Sequence, residues 1–533
     1  MNPVPWDGVF NLPFEDEAMA IEYLPSLETF RGLAKEGNLV PVFRELSADL
    51  DTPVSVFLKL KQEPPTFLLE SVEGGEKLGR YSFIGVGHNV VLKASADKAI
   101  VYKNGERQRI RLDEGRDCLH LVQEILAQRQ VVKVPGLPRF FGGAVGYISY
   151  DMVRHFEKLP ECPLDELGLP ECVFVFTDTI IIFDHVQHKM KIVANNYVDG
   201  PIESVYKQAV NKIESIVARL SKQSPLEPNG AIGRANVTRD KEVESNFTQE
   251  EFEKAVKACK EYIAAGDAFQ VVLSQRLRRK TNARPFDIYR ALRMLNPSPY
   301  LFYLDLGGFQ LIGSSPEMLV KVEDGIADSC PLAGTRPRGT SIKEDESLSS
   351  ELLKDPKEKA EHAMLVDLAR NDLGRVCEHG SVKVTELMSI EKYSHVMHIV
   401  STVEGKLKAG ENAFSLLRAA FPAGTLTGAP KIRAMEIITE LESTKRGPYG
   451  GAVGYFSYTG NMDTCITIRT IVMMRDTVYL QAGAGIVYDS DPTREYHETL
   501  NKLKALESAV VMAEEETAYR ESVPSTVKER TSD

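Results

Sequence analysis

Apolar residues in the first 220 positions follow two different spacings. From Leu50 to Val145, short apolar runs separated by Gly and Asn turn signals are typical of strands. Such runs occur at Val54–Leu60, Thr66–Leu69 and Val90–Leu92, and a longer one, Val173–Phe183, predicts a buried strand. Helical spacing predicts helices over Leu119–Ala127 and Ile202–Leu220.

The second half of the chain opens on a helix signal. Thr248 and Glu251 have the spacing of a capping box, apolar residues then recur with helical spacing, and Gly266 suits the helix end. A strand over Phe269–Leu273 follows. The other predicted elements are helices over Lys357–Asp372 and Glu495–Val511 and strands over Leu311–Gly313, Val453–Tyr458, Ile466–Val472 and Val478–Gln481.

A change in composition divides the chain into segments. Residues 221–246 contain few apolar residues and several turn formers, which indicates a linker. The linker separates an N-terminal segment, residues 21–220, from a second segment, residues 247–511. Residues 1–20 are expected to form a loose arm, and residues 512–533 a polar tail that frays.

Ten residues of the first segment recur in the second. FGGAVGYISY (Phe141–Tyr150) and YGGAVGYFSY (Tyr449–Tyr458) agree at eight of ten positions. Both predict a strand, since paired glycines allow a neighbouring backbone to approach closely. Either the similarity is chance among Gly-led strands, or each half adds a similar strand to one shared core. Only the second copy begins with a tyrosine, whose hydroxyl could meet a ligand.

Composition narrows the class of protein. The net charge of −12 argues against a nucleic-acid-binding protein, since such surfaces need clustered Lys and Arg. No apolar stretch approaches the ~20 residues of a membrane helix, and the acidic N-terminus is unlike a signal or transit peptide. Seven scattered cysteines without a CxxC pair indicate reduced thiols and a cytoplasmic protein.

Two glutamates on separate predicted helices are candidates for metal chemistry. Glu361 and Glu498 could together hold a hard cation, which prefers oxygen ligands and often keeps waters and a substrate oxygen. Taken singly, each is far more typical of a solvated helix position. The helical run from Lys431 follows Ala429-Pro430, so its amino end could hold a carboxylate, although an ordinary helix start explains it as well.

Small residues and histidines supply the other candidates. Gly483-Ala484-Gly485 follows a predicted strand and either lets a ligand reach backbone N–H groups or forms a tight turn. His395 and His398 have a chelating spacing for a helix, but the β-branched residues around them predict a strand, where residues three apart face opposite sides. A single general acid or base is therefore expected rather than a metal-binding pair.

Eight stretches of the sequence occur in one order that resembles the chorismate-utilising enzymes. They are FQVVLS, NPSPYLFYL, SSPEML, PLAGTRPRG, EKAEHAMLVDLARNDLGRV, FPAGTLTGAPK, DTCITIRT and QAGAGIVYDSDPTREYHETLNK. The resemblance is dense from Phe247 to Val511 and thinner over Val54–Tyr150, where LLESVEGGEKLGRYSF carries it. It implies an α+β fold in which packed antiparallel β-sheets form a β-sandwich core flanked by helices, with strands from both halves of the chain.

The resemblance also implies a substrate and a metal. Enzymes of this family bind chorismate with a magnesium ion (Mg²⁺), whose ligands here would be Glu361 and Glu498. The positions that would contact substrate are Gly334, Thr335, Tyr449, Arg469, Gly483, Ala484, Gly485 and Lys502. Chorismate is a dianion, and the guanidinium of Arg469 offers a bidentate fork for one of its carboxylates.

Two positions separate the branches of the family. Members that add water carry a lysine base where this chain has Gln270, and a glutamine cannot serve as that base. Common aminodeoxychorismate synthases carry an attacking lysine where this chain has Ala333. Both differences favour the anthranilate synthase branch, in which ammonia aminates the ring carbon next to the carboxylated one and pyruvate then leaves. That reaction is the first committed step of tryptophan biosynthesis.

The same resemblance assigns acid–base roles. Glu317 would protonate the leaving hydroxyl, which requires a raised pKa. His398 would assist pyruvate elimination, or else serve only as an orienting hydrogen-bond partner. Two alternatives stay open: aminodeoxychorismate synthesis without the usual lysine, and an inactive ligand-sensing paralogue, which would be expected to have lost some of these residues.

A partner subunit and a regulator are implied as well. No cysteine has the GxCxG setting of a glutaminase nucleophile, so ammonia is expected from a separate glutamine amidotransferase subunit in a heterotetramer with two copies of each. The family's tryptophan feedback pocket would be lined by Glu70, Ser71, Pro299, Tyr300 and Leu301, with Glu70 available for the inhibitor's ammonium. Leu301 replaces the methionine of many relatives, a swap that keeps volume and apolarity. The alternative is an ordinary contact between strands.

Overall fold

The computed structural model describes residues 22–60, 63–71, 79–103, 105–160, 164–222, 242–393 and 396–522. Within these ranges the chain forms twelve α-helices, twenty-two strands and a 3₁₀ helix over Tyr150–His155. The helices are α1 (Leu27–Leu33), α2 (Pro53–Leu60), α3 (Cys118–Ala127), α4 (Ile202–Leu220), α5 (Gln249–Ala265), α6 (Pro285–Leu295), α7 (Ile342–Lys354), α8 (Pro356–Val376), α9 (Ala413–Ala420), α10 (Gly424–Thr427), α11 (Lys431–Leu441) and α12 (Pro492–Ser522).

The strands come from both halves of the chain. They are β1 (Leu39–Ser47), β2 (Thr66–Glu70), β3 (Tyr81–Ser95), β4 (Lys98–Lys103), β5 (Glu106–Arg111), β6 (Gly143–Ile148), β7 (Cys172–Asp184), β8 (Lys189–Tyr197), β9 (Glu244–Ser245), β10 (Gln270–Lys280), β11 (Tyr300–Asp305), β12 (Gln310–Ser315), β13 (Met318–Glu323), β14 (Ile326–Ser329), β15 (Leu332–Pro337), β16 (Lys383–Lys392), β17 (Val396–Lys406), β18 (Gly428–Ala429), β19 (Ala452–Ser457), β20 (Met462–Ile466), β21 (Thr470–Met474) and β22 (Thr477–Ile486).

The two recurring Gly-led segments form neighbouring strands, β6 and β19. They pair antiparallel with Gly146 opposite Gly454, so the repeat is arranged symmetrically about these glycines. A Cβ atom at Gly146 would lie 1.9 Å from the Val173 carbonyl oxygen, and one at Gly454 would lie 2.1 Å from that of Asp463. Both glycines are therefore required by the same close approach of a neighbouring strand. The prediction that each half adds a similar strand to one core is confirmed.

Side chains of these strands alternate between two cores. Ala144 and Ile148 of β6 join a core that also includes residues of α3, α8 and α9. Val145 and Tyr147 join a core made only of strand and loop residues from both halves. A strand buried on both faces places packed β-layers in the centre and helices outside. This is the predicted α+β arrangement, with every ladder between named strands antiparallel.

The predicted helices α3, α4, α5 and α8 are confirmed. Local chemistry sets the ends of α5. The Thr248 hydroxyl accepts a hydrogen bond from the Glu251 amide, and the Glu251 carboxylate accepts one from the Thr248 amide. The helix ends at Gly266, whose φ of +87° is accessible to glycine without strain. None of the described helices is long and apolar enough to span a bilayer.

The Val54–Leu60 run is a helix, α2, so the expectation of a strand there is wrong. Pro53, Val56 and Leu60 are buried on one helical face. Proline in the first turn has its φ already in the helical range and removes no hydrogen bond there. A run this short does not distinguish helix from strand by periodicity alone.

Three elements of the second half differ from their predicted form or bounds. The strand expected over Ile466–Val472 is broken between β20 and β21, where Arg469 has a φ of +50°. The Gly483-Ala484-Gly485 stretch is neither turn nor loop, since β22 runs through it and pairs with β10. Helix α12 continues to Ser522.

The extension of α12 corrects the expectation that the chain frays after residue 511. The Arg279 guanidinium donates to the carboxylate of Glu514, which is buried at 1% exposure. Arg520 forms ion pairs with Asp287 of α6 and with Glu516. These charges are paired within the fold, and pairing holds the last turns of the helix. Residues 1–21 and 523–533 lie outside the described residues, as do 223–241 of the predicted linker.

Candidate active site

A cavity of ≈ 380 Å³ is bounded by β10, β17, β22, α10, α12 and the break between β20 and β21. Its volume is in the range of small-molecule sites. Eight of the predicted residues line it: Glu317, Thr335, His398, Tyr449, Arg469, Gly483, Gly485 and Lys502. The fold thus brings together residues that are up to 185 positions apart in the sequence, from Glu317 to Lys502.

Glu317 lies between β12 and β13 and is 9% exposed. Its Oε1 accepts a hydrogen bond from Thr425 Oγ1 at 3.0 Å. Burial raises the pKa of this carboxyl to about 7, while the Thr425 hydrogen bond and the charge of Lys502 act in the opposite direction. A carboxyl group that keeps its proton near neutral pH can donate it to a leaving group.

His398 of β17 is held by the segment that contains Gly334 and Thr335. Its Nδ1 is 3.0 Å from the Gly334 carbonyl oxygen and 3.0 Å from Thr335 Oγ1. Because a carbonyl oxygen only accepts, the bond assigns the proton to Nδ1 and leaves a lone pair on Nε2. Burial lowers the pKa of His398, although the Gly334 bond raises it. A neutral imidazole with this tautomer can accept a proton.

The glycines of β22 leave room for neighbouring side chains. A Cβ atom at Gly483 would lie 2.9 Å from Tyr449 Oη, and one at Gly485 would lie 2.8 Å from Gln270 Nε2. The Gln270 side chain therefore lies against Gly485, which lines the cavity. Ala484 points the other way, into a core formed with α5 and α11. Of the three residues, Gly483 and Gly485 line the cavity and the Ala484 side chain does not.

Arg469 and Lys502 place two cations on one wall. Arg469 Nη1 donates to the Lys502 carbonyl oxygen at 3.1 Å, and Lys502 Nζ donates to the Gly483 carbonyl oxygen at 2.9 Å. Burial lowers the pKa of Arg469, and the nearby group that raises it is Tyr449. Among the described residues, no carboxylate joins Tyr449 in raising the pKa of Arg469. A bound substrate carboxylate would therefore compensate a buried positive charge.

Glu361 of α8 and Glu498 of α12 do not line this cavity. Burial raises the pKa of Glu361, and the charge of Glu498 is among those that raise it further. Glu498 also pairs with Lys502 at 2.8 Å. In the described ranges, no group of three or more His, Cys, Asp or Glu is arranged to hold a metal alone. Two carboxylates fit Mg²⁺, which commonly takes its remaining ligands from substrate and water.

Sequence reasoning did not single out three residues of this region. Thr425 contacts Glu317, and it lies within the FPAGTLTGAPK stretch that carries the family resemblance. Glu358 and Glu495 each precede a predicted metal ligand by three positions on the same helix. Glu358 raises the pKa of Glu361, and burial raises that of Glu495. The i, i+3 spacing of glutamates in EKAE and EYHE was the available signal.

A second cavity, of ≈ 320 Å³, lies among β2, β11, β19 and β20. All five residues predicted for the regulatory pocket line it: Glu70, Ser71, Pro299, Tyr300 and Leu301. Ser71 Oγ is buried and has no hydrogen-bond partner within the described ranges. Glu70 accepts hydrogen bonds from Tyr289 Oη and from Arg293 Nε at 3.0 Å. An ammonium group would therefore share this carboxylate with Arg293.

Comparison with known proteins agrees with this geometry. Residues 65–508 of the chain match a protein family described as "chorismate binding enzyme". An anthranilate synthase component 1 from Acetivibrio thermocellus is 50% identical over 92% of this chain and 99% of its own length. Another, from Aquifex aeolicus, is 48% identical over 92% of this chain and 98% of its own length.

Solved structures show the same fold. Anthranilate synthase component I from Streptococcus pneumoniae superposes with a TM-score of 0.71 at 36% identity, covering 87% of this chain and 99% of that one. A menaquinone-specific isochorismate synthase from Escherichia coli, at 19% identity, has a TM-score of 0.65 over 91% of this chain and 98% of its own. The chain belongs to the chorismate-binding enzyme family.

Proposed function

We propose that this protein is the chorismate-aminating component of an anthranilate synthase, which converts chorismate and ammonia to anthranilate, pyruvate and water. The observation that carries the proposal is that a buried carboxyl and a histidine with a free ring nitrogen line one cavity. Burial raises the pKa of Glu317 to about 7, and the bond from Nδ1 of His398 to the Gly334 carbonyl leaves Nε2 free to accept a proton. The relatives that match nearly the whole chain are anthranilate synthase components.

Substrate binding rests on the cations of the cavity wall. The guanidinium of Arg469 binds one carboxylate of the chorismate dianion, and Lys502 adds a second positive charge. Gly483 and Gly485 let the ring approach the backbone of β22, with Tyr449 and Thr335 completing the wall. Glu361 and Glu498 would hold Mg²⁺, which would supply positive charge to neutralise and polarise a substrate carboxylate.

The first chemical step is an addition with loss of the ring hydroxyl. Ammonia forms a C–N bond at the ring carbon next to the carboxylated one, both ring double bonds shift by one position, and the C–O bond of the hydroxyl breaks. Glu317 donates its proton so that the hydroxyl leaves as water. The nitrogen is positively charged once the C–N bond has formed, and it releases one proton to solvent. Glu317 takes a proton back from solvent before the next turnover.

The second step is elimination of pyruvate. Nε2 of His398 removes the proton from the aminated ring carbon, the ether C–O bond of the enolpyruvyl group breaks, and the ring becomes aromatic. The enol of pyruvate leaves and takes up a proton on carbon. Gly334 and Thr335 hold the imidazole through Nδ1, so the acceptor nitrogen is the other one.

Two residues favour ammonia over other nucleophiles. Gln270, beside Gly485, lacks the basicity to activate water, whereas ammonia needs no such base. Ala333 of β15 has no nucleophile that attacks the ring. These positions separate the proposed reaction from isochorismate synthesis and from the lysine-dependent route to aminodeoxychorismate.

A product assay tests the proposal. The purified chain is mixed with chorismate, Mg²⁺ and ammonium at alkaline pH, and the aromatic product is identified. Anthranilate with one equivalent of pyruvate is expected. A 4-amino product would refute the anthranilate assignment, and bound chorismate without turnover would favour an inactive paralogue.

We further propose a glutamine amidotransferase subunit as the partner, in a heterotetramer, because the named relatives are component 1 of a multicomponent enzyme. Glutamine should support turnover only when that subunit is added. We also propose cytoplasmic operation, supported by the six described cysteines, all of which are free thiols.

The second cavity is the proposed tryptophan site. Its volume, its five predicted residues and the Ser71 hydroxyl, which has no hydrogen-bond partner among the described residues, support binding of an aromatic amino acid. Tryptophan should inhibit turnover and bind with a stoichiometry of one per chain.

A further inference from the structure

A buried ion pair lies directly behind the wall of the substrate cavity. Arg446 and Glu442 are 2% and 4% exposed. Arg446 Nε donates to Glu442 Oε2 at 2.8 Å, and Nη2 donates to Oε1 at 2.6 Å. Neither residue lines the cavity. The pair lies between the end of α11 and the start of β19, next to Tyr449.

The Arg446 guanidinium reaches the backbone of two cavity walls. Nη1 donates to the Leu426 carbonyl oxygen at 2.6 Å, and Nη2 donates to that of Val272 at 2.7 Å. Leu426 belongs to α10 and Val272 to β10, and both line the cavity. One rigid, planar group therefore adds a side-chain link between α10 and β10, beside the backbone pairing of β18 with the start of β10. A lysine ammonium at the same place lacks this fork.

Glu442 extends the network to a third wall. Its Oε1 accepts from the Ser274 amide at 2.8 Å and from Ser274 Oγ at 3.0 Å. Ser274 Oγ accepts in turn from Gln481 Nε2 at 2.9 Å, and Gln481 of β22 lines the cavity. The Arg446 guanidinium also lies 5.8 Å from the ring centre of Tyr449.

The link to α10 leads to the proposed acid. Leu426 is adjacent to Thr425, whose hydroxyl donates to Glu317 Oε1 at 3.0 Å. Helix α10 is four residues long, so its own backbone bonds constrain it little. The hydrogen bond from Arg446 to the Leu426 carbonyl connects this short helix to the core. It therefore constrains the position of the Thr425 hydroxyl relative to Glu317.

We propose that Arg446, held by Glu442, is a positioning residue for the reaction: it fixes α10 against β10 and thereby the Thr425 hydroxyl on Glu317. The proposal rests on the proposed role of Glu317 as general acid. A purely structural role for the pair would support folding and leave the chemistry of Glu317 unchanged.

The charged and titratable groups around Glu317 determine how a change at Arg446 can alter the titration of this carboxyl. On the cavity side it shares its surroundings with Lys502 of α12, His398 of β17, Arg469 and Tyr449. On its other side a small cavity brings Asp372 of α8 and Cys330 near it. None of these groups belongs to the Arg446 network except Tyr449, through the ring contact. A change at Arg446 thus reaches Glu317 mainly through Thr425.

The test compares Arg446→Lys with a matched control, Arg279→Lys. Arg279 lies on β10, is 7% exposed and forms a buried pair with Glu514, away from the cavity. Turnover is measured from pH 6 to pH 9 over a range of chorismate concentrations up to saturation, with saturating Mg²⁺ and a fixed concentration of free ammonia. Urea unfolding of each variant measures the loss of stability.

Arg446→Lys is expected to lower kcat by about a hundredfold with little change in KM for chorismate, as misplacement of a catalytic group does. The loss of activity with rising pH should move to higher pH, because the Thr425 bond that favours the ionised carboxylate is weakened. Thr425→Val should shift the profile in the same direction, and the double variant should add little to either change. Arg279→Lys should lose stability but keep kcat and the pH profile.

The proposal is overturned if Arg446→Lys loses activity only in proportion to its unfolded fraction, or if its effects and those of Thr425→Val are additive. If Arg446→Lys does not fold, Glu442→Gln replaces it: a smaller fall in kcat with the same pH shift supports the proposal, and an unchanged kcat and profile refutes it. If Glu317→Gln kept wild-type turnover, the proposed acid role of Glu317 would be refuted. This outcome is distinct from a failure of the Arg446 proposal, because Arg446 is unchanged in Glu317→Gln.

Discussion

Replacing Glu317 by glutamine is expected to lower turnover strongly and, at neutral and alkaline pH, to stabilise the fold. The carboxyl is 9% exposed, and burial raises its pKa to about 7. A glutamine has the same shape as the protonated acid, and its carbonyl oxygen can accept the hydrogen bond from Thr425. It cannot donate a proton to the leaving hydroxyl, so turnover should fall by about 10²-fold to 10⁴-fold.

The magnitude of the stability change follows from the raised pKa. Against its ordinary value of 4.5, a pKa of about 7 means that ionising Glu317 in the fold costs roughly 3 kcal/mol more than in the unfolded chain. The folded state holds the proton more tightly, so this stability is present below about pH 4.5 and is lost as the pH rises through about 7. Glu317→Gln does not ionise and loses none of it.

Urea unfolding of both proteins at pH 5 and pH 8.5 measures the difference. The two free energies of unfolding should agree to within about 1 kcal/mol at pH 5, and the variant should exceed the wild type by roughly 3 kcal/mol at pH 8.5. Glu250→Gln, at a side chain that is 80% exposed, serves as the control and should show no such dependence. A Glu317→Gln difference that is the same at both pH values would refute the reasoning, as would retained turnover.

Three further predictions concern the metal, the regulator and the substrate wall. Glu498→Gln should abolish the Mg²⁺ dependence of turnover together with most of the rate, because one of two proposed carboxylate ligands is lost; an unaffected rate across a Mg²⁺ titration would remove Glu498 from the site. Ser71→Leu should fill the second cavity and weaken tryptophan inhibition by about tenfold or more while uninhibited turnover persists; unchanged inhibition would place the regulator elsewhere. Gly483→Ala should raise KM for chorismate by about tenfold, since its Cβ would lie 2.7 Å from the Leu273 carbonyl oxygen and 2.9 Å from Tyr449 Oη; a normal KM would show that β22 adjusts.

Elements with strong local chemistry were predictable from the sequence. The capping box of Thr248 and Glu251 and the terminal Gly266 define α5 within a residue at each end. The recurring Gly-led segments predicted two similar strands, and both are present. In these places the residues that decide the structure are neighbours in the chain, so the sequence carries the information directly.

Other features depended on contacts that no local pattern reveals. The break after β20 places Arg469 at a positive φ inside an otherwise strand-like run, and the apolar spacing of that run gave no sign of it. Polar residues after Glu514 were expected to fray, yet Arg520 pairs with Asp287 on another helix. A polar residue looks solvent-exposed in a sequence until its partner is known.

The sequence by itself determined which residues are available for chemistry, and the family resemblance supplied their roles. Tertiary structure decided how they act. The proposed acid, Glu317, has a raised pKa because it is buried, and the Thr425 hydrogen bond only partly offsets this effect. The proposed base, His398, keeps Nε2 free because the Gly334 carbonyl occupies its Nδ1. Both effects depend on desolvation and on hydrogen bonds between distant segments. Ionisation state is set by surroundings, and those surroundings exist only once the chain has folded.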